Sequence, residues 1–222
     1  FSGVLGVLVL RRRAAQRIGW LFMALSLCSA VQIFLGEYAI LGAYTRGTPL
    51  PGTGLVAWMT NFIWVFIYVL LLYLLAIFPN GRFLSHRWRV LALAALFLFA
   101  VPLVVAAAIE TPMSSVYQID NPFVTTYPQA LYDTLFAIGM PMMPLVALLV
   151  LASVLLRFRR SQGRERQQMK WLLAGMVLLA ALLTGGLGLY LGLDLAFGGV
   201  MVNVSVLGPL LGIGVALLRH RL

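Results

Sequence analysis

Apolar residues run along this chain in long blocks separated by short polar or basic punctuation. The blocks cover approximately 18–43, 55–78, 90–109, 131–156, 171–193 and 197–218. At about 20 residues or more, each suits a helix that crosses the hydrocarbon of a bilayer. Uninterrupted runs such as Val69 to Ile77 and Leu145 to Leu156 lack the period-two alternation of a barrel strand. Only helices and closed barrels satisfy every backbone polar group in lipid, so the pattern predicts an all-α, polytopic membrane helix bundle forming one domain over 1–222.

A seventh block, Phe1 to Leu10, stops at Arg11-Arg12-Arg13 and has no initiator Met before it. Ten helical residues rise about 15 Å, half of a roughly 30 Å hydrocarbon core, so 1–10 is expected to be the inner half of a truncated first span. A signal peptide would carry its basic segment before the apolar one, not after it.

Composition agrees. Of 222 residues 62% are hydrophobic and 10% charged, against about 45 to 50% apolar and about 25% charged in a soluble domain. The formal charge is +10, from 16 Lys and Arg against 6 Asp and Glu. Nucleic acid is the tempting partner for such a chain, but the placement of the bases removes it. Every other connection is basic: Arg11, Arg12, Arg13 and Arg17; then Arg82, Arg87 and Arg89; then Arg157, Arg159, Arg160, Arg164, Arg166 and Lys170; last Arg219 and Arg221. All the bases but Arg46 thus fall on one side, and all the acids but Glu165 on or near the other. By the positive-inside rule the basic side is cytoplasmic. The expected layout is six complete spans plus the truncated one, in the cytoplasmic (inner) membrane, with the C-terminus inside and anionic inner-leaflet lipids beside the bases.

The outer loops are too short for a domain with its own core. Pro141 and Pro144 lie in the fifth span, where each removes a helical hydrogen bond; they read as a hinge or as ordinary packing. Gly188 with Gly192, and Gly208 with Gly212, are spaced four apart, the small-residue pattern of close helix contact within a bundle or across a homodimer.

No catalytic constellation is found. His86 and His220 lack metal-site spacing, Cys28 is a lone thiol, and no nucleophile elbow or phosphate-binding glycine loop is present. Asp133 and Asp194 only faintly suggest an aspartyl protease, since they fall near the outer ends of their spans. No cofactor or metal is expected. Glu37, with Gln32 and Tyr38 on the second span and Trp58, Asn61 and Trp64 on the third, forms a candidate outer pocket; a hydrated acid beside an aromatic girdle is the plainer reading. On the basic side, Pro79, Asn80, Gly81 and Arg82 make a tight turn after the third span. Arg164, Glu165, Arg166 and Gln168 lead into the sixth, with Arg164 and Gln168 on one face. Glu165, the lone acid there, is expected to pair with Arg82.

Several ordered pieces resemble a known group: Ile18-Gly19-Trp20, Glu37-Tyr38-Ala39, Phe78-Pro79-Asn80-Gly81-Arg82, Arg87-Trp88-Arg89, Asn121-Pro122-Phe123, and Glu165-Arg166-Gln167-Gln168-Met169-Lys170-Trp171. This set is similar to the multispanning input regions of bacterial sensor histidine kinases, especially those of actinobacteria. Such regions often carry Asp where Asn80 stands and Tyr where His220 stands, and their dimerisation and ATP-binding parts do not occur in these residues. The resemblance implies a sensory and anchoring domain of a two-component system, relaying a membrane or extracytoplasmic stimulus through its last helix to a cytoplasmic kinase module. A small transporter or channel and a passive scaffold are the alternatives.

Overall fold

A computed structural model describes residues 3–4, 6–7, 16–45, 50–113 and 118–219. The described chain is helical throughout apart from its connections. Helix α1 (Gln16–Ile40) ends in a π-helical turn, Leu41–Thr45, followed by α2 (Thr53–Ile77), α3 (His86–Ile109) and α4 (Gln129–Arg160). Helix α5 (Gly163–Leu187) widens into a second π turn, Gly188–Gly192, before α6 (Ala196–Ser205) and α7 (Leu207–Arg219). Six stretches are long and apolar enough to cross a membrane: Arg17–Thr45, Thr53–Ile77, His86–Ile109, Gln129–Arg160, Met169–Gly192 and Ala196–Val215. These match the six complete blocks of the sequence to within a few residues, and the chain fits a multi-pass membrane protein. Most of the expected half-span over 1–10 lies outside the described residues. Of it, 3–4 and 6–7 are helical, with Gly3 beside Ser26 and Gly6 beside Met23.

Apolar side chains face outward as well as inward. Phe34, Phe97 and Leu27 are each more than 60% exposed, as lipid rather than water requires. Inward residues follow the helical period: Met143, Val146, Val150 and Val154 on α4 pack against Leu172, Met176, Leu179 and Leu183 on α5. Helix α2 lies innermost, packing on α1, α3 and α4, while α5 carries α6 and α7.

The last span is broken, where the sequence suggests one helix over 197–218. Pro209 has no N–H to offer the carbonyl of Ser205, so the α ladder cannot run through unaltered. At the junction the Val206 N–H turns to Val204 O. Val202 O instead accepts hydroxyls from Ser205 at 2.6 Å and from Tyr68 of α2 at 2.9 Å. Beyond the break α7 lies backbone to backbone on α5. A Cβ at Gly208 would stand 2.7 Å from Gly175 O, and one at Gly212 would meet Trp171 O. This glycine seam is internal to the chain. Gly188 and Gly192, by contrast, sit in the exposed π turn with nothing within 4 Å of an added Cβ. Helix α4 runs unbroken through Pro141 and Pro144.

At the Arg-rich end, Arg157 of α4 closes the end of α2. Its guanidinium donates to Phe78 O, to Ala76 O at 2.7 Å and to Arg82 O at 2.7 Å. Carbonyls left open by the helix terminus thereby gain a cation that also suits the negative end of its dipole. Gly81 takes the left-handed conformation, φ +67°, that lets the Pro79–Arg82 turn fold back, and Arg82 N donates to Ile77 O at 3.2 Å. Ser85 caps α3 by accepting from Trp88 N.

Candidate binding cavity

At the end of the bundle away from the Arg-rich turns, a polar cluster is built around Glu110. The residue follows α3 and is only 8% exposed. Asn61, about two turns inside α2 and 1% exposed, donates its amide to Glu110 Oε2 at 2.9 Å and to Ala107 O at 2.6 Å. Tyr132, near the start of α4, donates to Glu110 Oε1 at 3.3 Å. Asn121 folds the following loop back onto the same helix end, its amide donating to Ala108 O at 2.9 Å and Glu110 O at 3.0 Å. Its own Oδ1 accepts from Phe123 N. Trp58 Nε1 also donates to Ala108 O. The carbonyls exposed where α3 stops are thus taken by side chains, as a helix end away from water requires. The negative charge is felt beyond the cluster: burial first, then the fields of Glu110 and Asp133, raise the Tyr127 phenol above its ordinary pKa.

Below this cluster opens a cavity of about 520 Å³. Trp64 and Tyr68 of α2 form one wall, Phe136, Met140 and Met143 of α4 another, and Leu103 with Ala106 and Ala107 of α3 the back. Tyr190 of the π turn and Gly199, Val202 and Asn203 of α6 close the remaining side, so the last span contributes directly to the lining. Trp64 is held by its Nε1 donating to Asn61 O at 2.9 Å, and its ring meets Tyr68 edge-on at 6.3 Å. Tyr132 stacks on Phe136 at 5.5 Å. The result is an aromatic-walled cavity with one carboxylate in its lining. Such a surface suits an amphipathic molecule with a cationic or hydrogen-bond-donating head.

The six residues expected to form an outer pocket are divided. Asn61 and Trp64 line the cavity, and Trp58 supports its rim. Gln32 reaches only the far side of α2, where Nε2 donates to Thr60 O at 3.3 Å; its Oε1 is buried with no partner among the described residues. Tyr38 donates to Pro51 O, and Glu37 is exposed. The acid brought to Asn61 is Glu110, not Glu37. The pocket expected from the sequence included neither Glu110, counted there only among the outer acids, nor Tyr68, Tyr132 and Asn121. The usable signal was the phenol of Tyr68 deep within an apolar span, a group that must find a partner in lipid.

On the basic side, Pro79, Asn80, Gly81 and Arg82 form the turn that Arg157 holds. Arg166 lies with its guanidinium 5.4 Å from the centre of the Phe158 ring. The side chains of Arg164, Glu165 and Gln168 lie outside the described residues, and so does the expected pairing of Glu165 with Arg82.

The class defined by these observations is an all-helical domain with six apolar, membrane-length helices around an acid-bearing aromatic cavity. No family model, curated protein or solved structure matches the chain.

Proposed function

We propose that this chain is a membrane sensory domain in which the aromatic cavity receives a small amphipathic cation and the last span carries the response. The observation that supports it most is the hydrogen bond of Tyr68, a cavity wall residue, to Val202 at the break in that span. An occupant pressing on Tyr68, Val202 or Asn203 alters the packing of the break itself. It thereby biases the span between two arrangements.

The orientation that goes with this reading has the Arg-rich end in the cytoplasm of a bacterial cell and the Glu110 cluster toward the outer face. The output module is a histidine kinase of a two-component system. The ordered motifs that resemble kinase input regions support that assignment. A fusion of residues 1–222 to a dimeric kinase core, reconstituted in liposomes, tests it. Autophosphorylation should change several-fold on adding a lipophilic quaternary ammonium ion, and the response should vanish in Glu110→Gln. Kinase activity indifferent to membrane and cation alike would defeat the reading. The same acid-bearing cavity would serve a small cation transporter, and cation flux across liposomes without any effect on a fused kinase would favour that alternative.

A further inference from the structure

A second recess lies at the opposite, Arg-rich end, and its chemistry is the reverse of the first. Helices α1 and α3 both pack on α2, and near the Pro79–Arg82 turn they stand apart over it. The crevice between them has a volume of about 1050 Å³. Its upper margin carries Arg17, Arg82, His86 and Arg89, with the Ser85 hydroxyl among them. No acid is among the lining residues, and among the described residues no acid pairs with these side chains. Its lower part is apolar: Leu21 and Ala24 on α1, Leu93 on α3, and Ile77 at the back.

The two zones are stacked along the helices in the same sense on both walls. On α1 the order is Arg17, Leu21, Ala24; on α3 it is Arg89, Leu93. Four residues of helix rise about 6 Å, so each guanidinium stands one turn above an apolar side chain on the same face. Trp20, 66% exposed, flanks the α1 wall at the depth where an indole marks the membrane interface.

We infer that this crevice is a binding site for one anionic phospholipid, its phosphate and negatively charged head among the bases and its acyl chains along Leu21, Ala24 and Leu93. Charge complementarity selects the anionic head, because a zwitterionic lipid would bring a cation back against three guanidinium groups. The apolar floor selects a lipid over free phosphate. A diffuse basic surface attracts anionic lipid anywhere along it; this site differs in having walls, a floor and a fixed depth.

The full chain, purified in detergent and titrated with phosphatidylglycerol or phosphatidylcholine under native mass spectrometry, tests the inference. One phosphatidylglycerol should be retained per chain, about tenfold or more tighter than phosphatidylcholine. Arg17→Gln with Arg89→Gln should abolish that preference. Arg159→Gln with Arg160→Gln, which removes the same charge from the same end outside the crevice, should leave it intact. Leu93→Trp keeps the bases and fills the apolar floor, so it too should expel the lipid, and it decides the matter if the double arginine variant does not fold. Equal loss in the two double variants, displacement by inorganic phosphate, or undiminished binding in Leu93→Trp would overturn the site.

Discussion

The phenolic hydroxyl of Tyr68 donates to the carbonyl of Val202 over 2.9 Å, joining the innermost helix of the bundle to the point where the last span breaks. Two hydroxyls serve that carbonyl, the other coming from Ser205. Tyr68→Phe keeps the ring and the cavity wall but removes one of them. Because Ser205 remains, the fold should survive with a loss of about 1 kcal/mol. In the kinase fusion, however, basal output should shift and the response to the cation should fall several-fold. Wild-type output and response in this variant would show that the hydrogen bond plays no part in relay.

Asn61 and Glu110 should be energetically coupled. Asn61→Leu leaves a largely buried carboxylate with one donor fewer, whereas Glu110→Gln retains a hydrogen-bonding side chain without the charge. A double-mutant cycle, read by thermal unfolding in a fixed detergent, should give a coupling of about 1–2 kcal/mol. Additive effects would mean that the two side chains act independently.

Arg157→Met should destabilise the bundle by about 2 kcal/mol or more, since it strips three carbonyl acceptors of a charged donor at the end of α2. Arg159→Met, two residues on and turned to the other side of α4, should cost far less. Melting temperatures of the two variants make the comparison.

Gly208→Val should separate α7 from α5, because even a single carbon there would meet the Gly175 carbonyl at 2.7 Å. The expected penalty is about 1–3 kcal/mol. Gly188→Val, placed where an added Cβ meets open space, should be tolerated. Equal stability of the two variants by thermal unfolding would remove the seam from any account of the fold.

The proposed orientation has its own test. With Cys28→Ser as background, single cysteines at Arg82→Cys and Arg160→Cys should react with a membrane-impermeant thiol reagent only from the cytoplasmic face, and Asp120→Cys only from the outer face. Reaction of the first two from outside intact cells would invert the layout.

The spans were legible because lipid imposes a length and a composition that leave little to tertiary detail. Thr53–Ile77 and Met169–Gly192 could be read to within a few residues on that ground alone. The break at Val206 was harder to read, since an apolar block looks the same whether or not its helix is continuous; Pro209 was the clue. The cavity was half legible. Asn61 and Trp64 stood out as polar and aromatic residues within a span, but their partner acid comes from a loop. Glu37 and Glu110 look alike in sequence, and only packing brings one of them to Asn61. Arg157 was counted as one base among many, though its position against α2 makes it a structural clasp.

The glycine seam limits how the C-terminal helix can move. With Gly175, Gly208 and Gly212 meshed main chain to main chain, α7 cannot turn about its own axis without lifting off α5. Displacement must therefore take the two helices together, as a paired lever. That lever has a second outlet: α5 begins just past the Arg160–Gly163 corner, so a shift felt at residue 219 is also felt there.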